Sequence, residues 1–102
     1  MLRRGARVRR GPLVVYHVPD LRGARDGAPP VVGLIVARNV GGSVVRHRVS
    51  RRIRAQVAAR LDRIPSGSGT VVRALPEAAE ARSADLGEAV EAALHRLTGA
   101  AR

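Results

Sequence analysis

Apolar residues recur at every fourth position through the middle of the chain, at Val45, Val49, Ile53, Val57 and Leu61. A helix turns by about 100° per residue, so this spacing draws one slowly drifting stripe that can be buried. The pattern predicts a long helix running to about Arg63, with Ser43 as its N-cap. Leu86, Val90, Leu94 and Leu97 repeat the same period and predict a second helix over Ser83 to Thr98. Asp85 near its start, His95 and Arg96 near its end, and Gly99 beyond it all suit the helix dipole and its termination.

Short β-branched runs separate these helices. Pro12 to Val18, Val31 to Ala37 and Thr70 to Ala74 read as strands. The second is apolar almost throughout, which predicts a strand buried on both faces or central in its sheet. Asp20 to Pro30 reads as a loop, Arg38 to Gly42 as a turn, and Pro65 to Gly69 as the stop of the first helix. Pro76 to Arg82 reads as a partly helical linker, and Arg3 to Arg10 as a basic, flexible lead-in within residues 1–11. No repeat is visible. Strands alternating with helices in so short a chain predict a single α+β or α/β sandwich, with helices against one small sheet.

Charge gives the first stripe a meaning. Arg46-His47-Arg48-Val49-Ser50-Arg51-Arg52-Ile53-Arg54 carries five arginines and no acid. Arg48, Arg51 and Arg52 gather opposite the apolar stripe, while Arg46 and Arg54 flank it. A guanidinium grips phosphate with two hydrogen bonds, and no carboxylate nearby competes for it. The 102-residue chain has a net charge of +11, which suits a polyanionic partner. All 19 basic residues are arginine, a usage that a GC-rich coding sequence also favours. The chain has no cysteine, so disulfides and thiolate metal sites are excluded. No apolar run approaches the roughly 18 residues of a membrane span, so the expected setting is soluble and cytoplasmic.

Catalytic constellations are missing from the pattern. His17, His47 and His95 fall on a strand and two helices without metal-ligand spacing, and each reads as a packing or surface residue. Glu88 and Glu91 read as a solvated face of the last helix. Gly41-Gly42-Ser43 ahead of a helix is similar to a phosphate cradle but lacks the lysine of a P-loop, and it reads equally as a tight turn with a cap. Tyr16 is the one aromatic residue, so stacking on RNA has a single platform and electrostatics must carry most of any affinity.

One family matches this order of features. The stretch from Val31 to Arg54 resembles the protein subunit of bacterial ribonuclease P, in which a strand, a glycine-containing turn and an arginine-rich helix follow one another. Val71-Val72-Arg73-Ala74-Leu75-Pro76 resembles that family's next strand and its exit, and similarity spans roughly residues 10 to 99. His47 stands where the family usually has Asn, Ser50 where it has Lys, and Asn39 where a second basic residue is common. The chain has no phenylalanine, and its start joins almost directly to the first strand, so it reads as a form without the family's usual first helix.

The resemblance implies an α+β sandwich of three or four strands, with a left-handed strand-helix-strand crossover that departs from the usual hand. It implies that an RNA subunit performs the chemistry, hydrolysing a phosphodiester to release the 5′ leader of precursor tRNA. Mg²⁺ is then held mainly by RNA and substrate, and the protein has no catalytic or metal-binding residue of its own. Arg38, Arg46, Arg48, Arg51 and Arg54 are assigned to the RNA-facing set, with His47 and, on a weaker match, Arg52. Tyr16 marks the sheet face turned toward the leader. The implied partners are ribonuclease P RNA and precursor tRNA, with the protein monomeric in the ribonucleoprotein. A structural RNA-binding protein, such as a ribosomal protein, is the alternative. A DNA-binding module fits less well, because the basic helix lacks an Asn/Gln-rich reading face and a companion helix.

Overall fold

Side chains along Leu13–Val18 alternate between two environments, and that alternation organises the molecule. Leu13, Val15 and His17 are buried, while Val14, Tyr16 and Val18 on the other face are half-buried. The computed structural model describes residues 5–21 and 27–99. Its strands are β1 (Ala6–Arg10), β2 (Leu13–Val18), β3 (Val31–Ile35) and β4 (Gly69–Ala74). They form one sheet in the order β1-β2-β4-β3, mixed because β3 runs parallel to β4 while the other pairs are antiparallel. Helix α1 (Ser43–Ala58) forms the crossover between the parallel strands, and α2 (Ser83–Thr98) follows β4.

Both helices bury their apolar stripes against one face of the sheet. Val49, Ile53 and Val57 of α1 meet Leu86, Val90, Ala93 and Leu94 of α2 over Leu13, Val15, Val72 and Ala74. Each large side chain buried there contributes about 1.5–3 kcal/mol. The layer contains one polar pair. His17 and Thr70 face each other across β2 and β4, with His17 Nδ1 2.9 Å from Thr70 Oγ1. Each therefore has a partner inside the core. Burial also disfavours the imidazolium and lowers the His17 pKa below its ordinary 6.5.

Four local expectations are corrected. The basic lead-in supplies β1, because Arg7 and Arg9 point to the outer face while Val8 packs toward the core. Arg3 and Arg4 lie outside the described residues, as do residues 22–26 of the expected loop. The apolar strand is neither central nor covered on both faces. β3 is an edge, with Val31 60%, Val32 37% and Ile35 46% exposed. Ser43 does not cap α1. It is the first helical residue, Gly42 holds the N-cap position in extended geometry, and no side chain caps the turn.

The fourth correction is the helix end. α1 stops at Ala58, because Arg60 leaves helical geometry and Leu61–Arg63 close into a 3-10 turn. Ile64 is then extended ahead of Pro65, as a residue before proline prefers, and it is buried where Leu61 was expected. Leu61 itself is 45% exposed. The linker after β4 is helical as expected, in the form of a 3-10 segment over Pro76–Glu80.

Candidate nucleic-acid interface

Between β3 and α1 the chain reverses through a 3-10 turn at Arg38–Val40 and two glycines. Gly41 has φ 156° and ψ −171°, a conformation open essentially to glycine alone. The turn delivers Arg38 to the surface at the strand end and aims the first turn of α1 outward. That first turn contains no acidic residue. Arg46 folds back on it, its Nε donating to the Gly41 carbonyl at 3.1 Å.

The other arginines of α1 divide by what they touch. Arg48 Nη2 donates to the Ala79 carbonyl at 3.4 Å, and Arg52 Nη1 donates to the Ala81 carbonyl at 3.1 Å. Those two thus lean on the segment after β4. Arg51 and Arg54 project from the exposed side, and among the described residues no hydrogen bond or ion pair engages their side chains or those of Arg38 and His47. A shallow hollow lined by Ser43, Val44, His47, Arg48 and Arg51 lies over the first half of the helix. The two acids that do bind arginine near α1 and the sheet edge lie elsewhere: Glu91 holds Arg60 and Arg63 at the far end of α1, and Glu77 holds Arg9.

The second basic surface is the sheet face that the helices leave uncovered. Strand pairing sets Arg7, Tyr16, Val71 and Gly33 in one row, and Arg9, Val14, Arg73 and Ile35 in the next. The guanidinium groups of Arg73 and Arg7 beside Tyr16 favour its phenolate and lower its pKa from the ordinary 10.0. Tyr16 therefore does not join the helix arginines in one site; the sheet separates them. Arg7 and Arg73 were missed in the sequence. Their signal is the alternation of β1 and β4 read together with pairing to Tyr16, and that pairing is not visible locally.

A cationic helix without neutralising acids, beside a sheet face that carries guanidinium groups around one tyrosine, defines a nucleic-acid-binding module. Among the described residues no group of three His, Cys, Asp or Glu side chains could hold a metal ion, and no helix is long and apolar enough to cross a membrane. The family described as Ribonuclease P matches residues 1–98. The chain is 46% identical over 103 residues to the "Ribonuclease P protein component" of Streptomyces bikiniensis, covering 96% of this chain and 83% of that one. It is 48% identical over 98 residues to the protein of the same name from Acidothermus cellulolyticus, covering 96% and 79%.

Solved structures agree on the fold. The Staphylococcus aureus RNase P protein superposes with a TM-score of 0.75 at 21% identity, covering 90% of this chain and 80% of that one. The Thermotoga maritima RNase P protein, solved in complex with 1-(4-fluorophenyl)-2-thiourea, gives 0.73 at 20% identity, covering 91% and 86%. The chain belongs to the ribonuclease P family, as the protein component of that ribonucleoprotein endoribonuclease of tRNA maturation.

Proposed function

We propose that this chain binds ribonuclease P RNA through α1 and precursor tRNA through the uncovered sheet face, and so assists RNA-catalysed removal of the 5′ leader. The observation that carries the reading is the set Arg38, Arg51 and Arg54, exposed and with no side-chain hydrogen bond or ion pair among the described residues. His47, Arg46, Arg48 and Arg52 border the same surface, the last three with one donor each already given to a backbone carbonyl. On the other face, Tyr16 offers a stacking surface between Arg7 and Arg73, suited to an extended single strand.

The cationic side chains on both surfaces do not fit Mg²⁺ ligation, which takes oxygen donors such as carboxylates. Any Mg²⁺ in the reaction is held by RNA and substrate, and no step runs through a protein-bound ion. The protein's share is positive charge, which replaces counterions where RNA strands crowd together. It acts as a monomer within the ribonucleoprotein, in the cytoplasm. Reconstitution with ribonuclease P RNA and a precursor tRNA tests this: the protein should lower the Mg²⁺ needed for cleavage. Identical cleavage with and without it at low Mg²⁺ would overturn the reading. The ribosomal-protein alternative gains no support from the relatives described above.

A further inference from the structure

β3 and α1 do not close on each other. Between them lies a groove of about 270 Å³, walled by Val32 and Leu34 of β3 and by Val57 and Ala58 of α1, with Leu61 at one end and Arg54 at the rim. Its walls are almost wholly aliphatic. Val32 and Leu61 are 37% and 45% exposed, so apolar surface that usually seeks cover is open here. The volume falls just below the roughly 300–1,000 Å³ of pockets for drug-sized ligands, which suits one flat ring system better than a chain segment.

Charge selects the occupant. Among the described residues Arg54 is the single ionised group on the lining, and no carboxylate joins it; Asp62 follows Leu61 in sequence but does not line the groove. Among the described residues the guanidinium has no hydrogen-bond or ion-pair partner. Beside the groove β3 is a sheet edge, and an edge strand offers backbone N–H and C=O groups to a newcomer. An apolar slot, a phosphate-binding cation at its mouth and spare backbone donors and acceptors are the requirements of a nucleotide taken out of its stack. We infer that the β3–α1 groove receives one unpaired nucleobase of ribonuclease P RNA, with Arg54 on the adjoining phosphate. The inference rests on the proposed binding of that RNA through α1 and adds a site distinct from the Tyr16 face.

Ala58 is exposed on α1 and lines the groove, so Ala58→Leu fills the slot without removing charge. Ala55→Leu, exposed on the same helix but away from the lining, is the control. Binding of full-length ribonuclease P RNA is measured at several salt concentrations, with base reactivity toward dimethyl sulfate and carbodiimide read in parallel. Ala58→Leu should weaken binding by about tenfold with an unchanged salt slope, because the apolar burial of one base is lost and no charge is removed. One unpaired base protected by the wild type should become reactive. Leu61→Ala should weaken binding in the same sense, and Ala55→Leu should match the wild type. Circular dichroism verifies that each variant is folded, and Leu61→Ala decides the matter if Ala58→Leu is not.

Wild-type affinity and footprint in both groove variants would overturn the inference while leaving the RNA-binding reading intact. Failure of the wild type to bind the RNA would overturn both. Self-association of the free protein that Ala58→Leu abolishes, seen by sedimentation, would also overturn it, by assigning the groove to a second copy of the chain.

Discussion

Gly41 and Val45 approach so closely that a methyl group on the glycine would lie 2.8 Å from Val45 Cγ1 and 2.9 Å from Val45 Cβ. The second atom sits at the root of its side chain and cannot swing aside. Backbone geometry at Gly41 adds its own penalty for any other residue. Gly41→Ala should therefore destabilise the fold by about 1–3 kcal/mol. Thermal or urea unfolding monitored by circular dichroism measures it, and an unchanged midpoint would refute the need for glycine here.

The arginines of α1 should separate into ties and contacts. Arg52→Ala removes the donor to the Ala81 carbonyl and should cost about 0.5–1.5 kcal/mol of stability, with a small effect on the salt slope of RNA binding. Arg51→Ala breaks no side-chain bond among the described residues. It should leave stability within about 0.5 kcal/mol and make the salt slope shallower by up to about one unit. Binding titrations at several salt concentrations, run beside unfolding curves, distinguish the two.

Glu91 is expected from sequence to be an idle surface acid, yet it accepts from Arg60 Nε at 2.9 Å and also pairs with Arg63. Arg60 in turn donates to the Gln56 carbonyl, so the cluster fastens the end of α1 to α2. All members are partly exposed, which limits the value of the pairing. Glu91→Ala should cost about 1 kcal/mol, less at high salt, and Glu88→Ala close to nothing. Equal melting of the two variants at low salt would contradict the clamp.

His17 gives stability a pH dependence of known sign. Its pKa is lowered in the folded state by burial, so below about 6.5 the unfolded chain takes up a proton that the folded chain refuses. The contribution of the neutral imidazole is complete above about pH 6.5 and falls as the pH drops toward the folded value. His17→Gln keeps a polar partner for Thr70 and should flatten the stability profile in the window that opens below about pH 6.5. A variant as pH-sensitive as the wild type across that window would shift the cause to other groups.

How much was readable depended on the range of the interactions. The stripes of α1 and α2 and the strands β2 and β4 follow from local periodicity, and Val49, Ile53, Val57, Leu86, Val90 and Leu94, which the spacing selects, are buried. The strand of Val31 to Ile35 is expected to be central in its sheet or buried on both faces and lies at the edge, because an apolar segment reads alike in either place. β1 was hidden because consecutive Arg9 and Arg10 break its alternation. The bonds of Arg60 to Glu91 and Arg48 to Ala79 each span 31 positions, beyond the reach of any local pattern. For the site, the density of arginine was legible and the division of labour within it was not. That division depends on which carbonyls α1 meets after β4 has been placed.

The position of β4 also governs the order in which the molecule can be made. It lies between β2 and β3, and His17 must find Thr70 across 53 positions of chain. Until β4 leaves the ribosome, β1 and β2 are a lone hairpin and β3 has no strand beside it. A two-stranded hairpin is marginal in water at best. Folding must therefore wait for nearly the whole chain and then close a long loop in one cooperative step, the slow regime for a domain this size. A chain cut before Gly69 should show no cooperative melting, while addition of β4 and α2 should restore it.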